Sequence, residues 1–192
     1  TENLGNGSYT MVVARWNFAL EDNGASASAT SEQGGSIAIK AIDGNDGTFW
    51  QGDTPTVANP QDLIIIFPYT LTVNKVRFLA STSARRPKDY SWQVSTDGVN
   101  YAVVLSVTNN GSLDVTDIFT AAPNVKYLKL RITANAGGSG VRVSTLEAIG
   151  SKITSTGSVA SLNRKIEQTI VADDATQTAV DEIDWNEIVP AT

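Results

Sequence analysis

The stretch KAIDGNDGTFW, residues 40–50, places Asp43, Asn45 and Thr48 within a few positions of one another and separates them with Gly44 and Gly47. A hard cation such as Ca2+ takes six to eight oxygens at about 2.3–2.6 Å, from carboxylates, amides, hydroxyls and backbone carbonyls. The three side chains supply such oxygens, and the glycines let the backbone curl until carbonyls also turn inward. The same residues also suit a plain turn between strands, because Asp, Asn and Gly dominate turns without any metal. Both readings stand on this stretch alone.

Outward from the loop, the chain reads as short strands. SYTMVVARWNFAL, residues 8–20, sets Val12, Ala14, Trp16, Phe18 and Leu20 on one face at period two, as a half-buried strand does. Residues 25–42 are small and Ser-rich, suiting an edge strand and a loop that lead into the metal stretch. Leu63 to Phe67 is an apolar run closed by Pro68, the pattern of a strand covered on both faces. Further strands are predicted over 73–80, 90–95, 101–107, 112–119, 125–133 and 141–150. Asp97-Gly98, Asn109-Asn110-Gly111, Pro123-Asn124 and Gly137-Gly138 punctuate them as turns. Many short strands so punctuated predict an antiparallel sandwich or barrel. Trp92 alternates with polar neighbours in DYSWQVS and reads as a core strand residue, and Trp16 and Trp185 read as packing residues of the flanks.

Composition excludes several functions. Within 192 residues there is no Cys and no His, which removes disulfides, zinc-thiolate sites and imidazole chemistry. The formal net charge is −6, with Arg85-Arg86 as the one pair of adjacent arginines, so nucleic acid and anionic membrane are poor partners. No apolar run approaches the roughly 20 residues that span a bilayer. Because Thr1 is not an initiator Met, an upstream signal or anchor is expected to have been removed or omitted.

KAIDGNDGTFW, PQDLIIIFP, KDYSWQVSTDGVNY, VKYLKLRITA and STLEAIG, in that order, resemble the discoidin or coagulation factor 5/8 type C superfamily, whose bacterial members include galactose-binding carbohydrate-binding modules. The resemblance covers about 25–150. It implies an all-β, discoidin-like jelly-roll β-sandwich, here with additional flanking strands. It also implies one structural Ca2+, held by Lys40 and Leu146 through carbonyls and by Asp43, Asn45, Thr48 and Glu147. Ligands in such modules bind to loops at the metal end, with an aromatic platform for the sugar's apolar face. The loops here are 50–59, 81–88 and 135–140, and they make Trp50, Arg85, Arg86, Asp53 and Asn59 the candidate ligand-binding residues. The pattern departs from many sugar-binding relatives, which carry a His and an aromatic in these loops, whereas NAGGSG is bare of aromatics.

The flanks, residues 1–24 and 151–192, have another character. GSYTMVV, KITSTG, RKIEQTI and a final Trp-bearing acidic segment resemble the β-region of type IV pilin-like minor proteins, which implies a sandwich inserted into a small pilin-like sheet. SKITSTGSVASLNRKIEQTI reads as two short strands joined around Thr156-Gly157, with Ile166 and Ile170 inward, and Trp185 and Ile188 hint that the tail docks. Asp43 and Glu147 are a poor acid/base pair, since metal-bound carboxylates stay ionised and accept only. The expectation is therefore a non-catalytic, calcium-stabilised glycan-binding or adhesion module of an exported, extracellular or cell-surface protein. The alternative is a structural or tip subunit of a pilus-like filament with protein partners.

Overall fold

The structure is a computed structural model that describes residues 8–159 and 162–170. Ten strands run in chain order: β1 Ser8–Asn17, β2 Ser26–Ala29, β3 Trp50–Gly52, β4 Gln61–Leu79, β5 Pro87–Ser95, β6 Ala102–Val107, β7 Asp114–Asn135, β8 Val141–Val143, β9 Thr145–Val159 and β10 Leu162–Ile170. All pairings between them are antiparallel.

Two long strands organise the sandwich. The first part of β4 pairs with the end of β7, Gln61 opposite Ile132 through Ile66 opposite Tyr127, and its last part pairs with the beginning of β7, Leu79 opposite Asp114. Between these stretches the register shifts repeatedly. Pro68, Tyr69 and Thr70 are exposed there, and Asn124 of β7 has a φ of 57°. Proline removes a ladder donor and Asn tolerates the left-handed conformation, so both strands bend together. One layer is thus β2–β4–β7–β5–β6 and the other carries β9, the rest of β4 and the rest of β7.

The layers meet through apolar side chains that alternate along each strand, among them Leu63, Ile65, Phe67, Phe78, Trp92, Leu128, Leu130 and Leu146. Phe78 meets the Tyr90 ring edge-on at 5.2 Å between centroids. From β5, the Tyr90 hydroxyl and the Trp92 Nε1 both donate to the Asp117 carboxylate of β7, at 2.9 and 2.7 Å. Burial first, and then the Asp117 charge, push the Tyr90 phenol well above its ordinary pKa, so it remains the donor. Trp92 is the core residue its alternation predicts.

Several expected boundaries are different. Pro68 does not close a strand: residues 63–67 and 73–79 belong to one bent strand, because a proline facing outward at a bend disrupts only local pairing. Residues 112–119 and 125–133 join in β7 for the same reason, with Pro123-Asn124 at the bend. Thr156-Gly157 is no junction but lies inside β9, which runs on to Val159. In the leading strand the ladder ends at Asn17, Val12 is 53% exposed and the buried residues are Phe18 and Ala19 beyond it. Val12 therefore lies away from the core, while Trp16, further along the same face, packs against it. β9 leaves the sandwich at about Ile149 and forms a three-stranded sheet with β1 and β10. The side chains of Ile166 and Ile170, and the segment holding Trp185 and Ile188, lie outside what the structure describes.

Replacing Asp117 with Ala leaves two donors inside the sandwich without their acceptor, each costing about 1–3 kcal/mol. The expected result is a lowered urea midpoint for Asp117→Ala, with Asp117→Asn recovering part of the loss.

Candidate functional site

A short 3-10 turn, Ala38–Ala41, anchors the loop through the buried Ala38 and Ala41 and delivers the chain to Asp43. The loop then folds around one hydroxyl. Thr48 Oγ1 lies 2.9 and 2.7 Å from the two Asp43 carboxylate oxygens, 2.8 Å from the Asn45 carbonyl and 3.3 Å from the Lys40 carbonyl. A hydroxyl donates one proton, so it satisfies one of these four acceptors. The backbone N–H of Asn45 donates to Asp43 Oδ1 and that of Thr48 to the Asn45 carbonyl, which still leaves a surplus of oxygen lone pairs. The Lys40 ammonium stands 3.6 Å from Asp43 Oδ2 and offsets part of the negative charge. Asn45 enters the cluster through its backbone, because its side-chain oxygen accepts the Gly47 N–H at 2.9 Å instead.

Leu146 and Glu147 lie across a cavity of about 230 Å³, whose other walls include Ala41, Ile42, Gly44 and Asp46. Glu147 Oε2 accepts from Arg15 at 2.7 Å and from Arg77 at 3.2 Å. Its carboxylate is thus shared with two guanidiniums, one of them from the flanking strand β1. Asp46 accepts from the Thr145 hydroxyl and ties the loop to β9, a link that spacing did not single out. Among the described residues no three acidic or imidazole groups gather as a metal cluster. A cation here would rely instead on the Asp43 carboxylate with the hydroxyl and carbonyls, and on Glu147 across the cavity, a donor set that suits a hard ion.

The expected aromatic platform is corrected. Trp50 is 0% exposed and its Nε1 donates to the Ser31 carbonyl at 2.9 Å, so the indole is a core residue with no face for a ligand. Alternation is the cause: in β3 the buried Trp50 and Gly52 flank the outward Gln51, as buried Val141 and Val143 of β8 flank the outward Arg142. Gln51 and Arg142 face each other across the pair, and Arg142 Nε donates to Gln51 Oε1 at 2.8 Å. The Arg142 guanidinium lies over the half-buried Phe49 ring at 4.2 Å from its centroid. Gln51 Nε2 in turn donates to Gln33 Oε1, and Gln33 Nε2 to Asp53 Oδ1.

Backbone bonds draw the three loops into one rim. The Gly140 N–H donates to Thr54 Oγ1 at 2.9 Å, and the Gly138 N–H to the Ala84 carbonyl at 2.8 Å. A side chain on Gly138 would put a Cβ 2.8 Å from Arg85 Cγ, so the bare NAGGSG backbone is what lets Arg85 lie across it. Arg85 Nη2 reaches Ser139 Oγ at 3.2 Å. Arg86 is turned the other way and braces two turns, donating to the carbonyls of Ser83 and Asn110. Asn59 is exposed within a small turn closed on Thr56. Burial first, and then the neighbouring Arg85 charge, pull the Arg142 pKa below its ordinary value.

Arg85 and Asp53 are therefore brought to one rim, while Trp50 is withdrawn from it. Arg142, Phe49, Gln51 and Gln33 join without having been anticipated. Period-two alternation in VRV and in FWQG sets Arg142 opposite its valines and Phe49 and Gln51 opposite Trp50, without saying which set faces outward.

The family follows from comparison with known proteins. The model of the F5/8 type C domain matches residues 25–145, and the chain belongs to that family. Chitosan-binding module 1 from a chitosanase/glucanase of Paenibacillus sp. IK-5 superposes with a TM-score of 0.61 at 27% identity, over 70% of this chain and 98% of that one. Module 2 of the same enzyme, in complex with chitotriose, gives a TM-score of 0.61 at 25% identity, over 69% of this chain and 98% of that one. The family 32 carbohydrate-binding module of Clostridium perfringens NanJ, in complex with galactose, gives 0.60 at 22% identity, over 71% and 99%. Comparison with curated proteins found no match. The fold is that of a discoidin-like carbohydrate-binding module, and among the described residues no helix is long and apolar enough to cross a membrane.

Proposed function

We propose that the chain is a non-catalytic glycan-binding module of an exported or cell-surface protein, stiffened by one Ca2+. The observation that carries the reading is the outward face of β3 and β8. A half-buried aromatic ring, Phe49, lies beside a guanidinium and two amides already fixed by one another. Such a surface offers an apolar patch and a few oriented polar groups, as shallow ligand sites do. Likeness to two chitosan-binding modules at 25% identity or more supports the sugar class. The donor set around Thr48 supports the cation: Asp43 through its carboxylate, Thr48 through its hydroxyl, Lys40 and Asn45 through carbonyls. Leu146 and Glu147 complete the proposed set across the cavity, Glu147 exchanging part of its pairing with Arg15 and Arg77. The ion supplies positive charge to a surplus of oxygens and holds the loop one residue before Phe49.

A glycan array probed with Ca2+ and again with chelator tests this reading. Binding to a defined sugar is expected, and a blank array under both conditions would contradict it. For the cation, Ca2+ at 100 times its dissociation constant stabilises the fold by about 2.7 kcal/mol. Asp43→Ala and Thr48→Val are expected to melt, with Ca2+ present, where the chelated wild type melts. An unchanged melting temperature in both variants would reduce the loop to a turn.

A second reading, a structural subunit of a pilus-like filament, is favoured by a different observation. Both flanks meet in the β1–β9–β10 sheet, and successive residues Val12 and Val13 of β1 are 53% and 46% exposed. Sedimentation checks it: concentration-dependent association that Val12→Ser with Val13→Ser abolishes is the expected result, and a monomer at all concentrations is the contrary one.

A further inference from the structure

We infer that the rim selects an acidic glycan, one bearing a carboxylate or sulfate on or next to the bound sugar, through Arg85 and Arg142. The inference rests on the glycan reading above and names the chemical class of its ligand.

Pairing of the arginines is the ground. The protein has a net charge of −6, so carboxylates are abundant. Arg15 and Arg77 bond to Glu147, Arg77 also bonds to Asp114, and Arg131 bonds to Asp62. Among the described side chains three arginines break this pattern: Arg86, which is spent on the carbonyls of Ser83 and Asn110, and the rim pair Arg85 and Arg142. The rim pair's partners among the described residues are the neutral Ser139 hydroxyl and Gln51 amide oxygen, with the Phe49 ring beneath Arg142. The acid nearest in the network, Asp53, spends a carboxylate oxygen on Gln33 rather than on a guanidinium.

The two cations also stand close enough to oppose each other. Desolvation, and secondarily the charge of Arg85, disfavour the charged form of Arg142. Two like charges that no carboxylate among the described residues pairs cost free energy that an arriving anion returns. The Gln51 bond engages Nε of Arg142 alone, which leaves its terminal nitrogens for a ligand, and a guanidinium matches the planar pair of oxygens of a carboxylate. The ring of Phe49 meanwhile offers an apolar surface beside the anion. Such a rim repels a cationic aminosugar polymer even though the fold is that of chitosan-binding modules.

The test is calorimetric titration of the full chain at low salt with trigalacturonate, its methyl ester, a sulfated galactose trisaccharide and chitosan trisaccharide. The acidic ligands are expected to bind, esterification to weaken binding about tenfold or more, and added salt to weaken it further. The uronate and sulfate arms separate the two anions, and chitosan trisaccharide is expected not to bind. Arg85→Gln and Arg142→Gln should each cost about tenfold for the acidic ligand and clearly less for the ester. Because Arg142 also packs on Phe49 and the Arg85 stem lies on the Gly138 segment, melting curves accompany both variants; among the described residues the Arg85 guanidinium bonds only to the Ser139 hydroxyl. Ester and acid binding equally well would overturn the inference and leave the glycan reading intact. If no sugar in any arm binds, the glycan reading fails and the inference with it.

Discussion

Continuous pairing of β4 with β7 through a shared bend is the constraint on which the rest depends. A straight pair of this length would make one flat ribbon with two exposed apolar faces. Bending at Pro68 and Asn124 doubles the ribbon on itself, so that Leu63, Ile65, Leu128 and Leu130 on one limb face Phe78 on the other. Burial of roughly 25 cal/mol per Å² of apolar surface then favours the doubled form. Asp117 acts across that interface, since its carboxylate on one layer receives both polar hydrogens of the aromatic pair on the other.

From this frame the rim follows. β3 and β8 are short and lie apart from the main sheet, yet their buried residues Trp50, Val141 and Val143 plug the end of the sandwich and leave Gln51 and Arg142 outside. The indole that serves as plug cannot also be a platform. The oxygen-rich loop ends at Thr48, and Phe49 is the next residue, so ordering the loop orders the ring under Arg142. Arg15 adds a connection of another kind, because it reaches from the flanking strand to Glu147 on the cavity wall. The flank and the loop end of the module thus share one carboxylate.

Legibility in the sequence was uneven, and the reasons are physical. The gathering of oxygens around Asp43 was readable because Asp43, Asn45, Thr48 and two glycines lie within a few positions, so local geometry decides most of it. Sandwich class and the buried Trp92 were readable from alternation. Pro68 and Pro123-Asn124 looked like strand ends, since a bend and a turn use the same residues and differ only in whether pairing resumes afterwards. For the adjacent aromatics Phe49 and Trp50, alternation says that they point oppositely but not which one points inward. Arg142 was missed because a single arginine between valines reads as a solvated strand face, and its partner Gln51 lies 91 positions away.

The central claim is that ligand recognition resides on the β3–β8 face and the loops around it. The most direct measurement is a two-dimensional NMR titration of isotope-labelled protein with the glycan that binds it, following side-chain amide and guanidinium signals together with the backbone. The account predicts saturable shifts at the amides of Gln33 and Gln51, at Arg142 Nε and at backbone N–H groups of 135–140, with β1 and β10 unmoved. Shifts confined to the β1–β9–β10 sheet, with these groups silent, would contradict it.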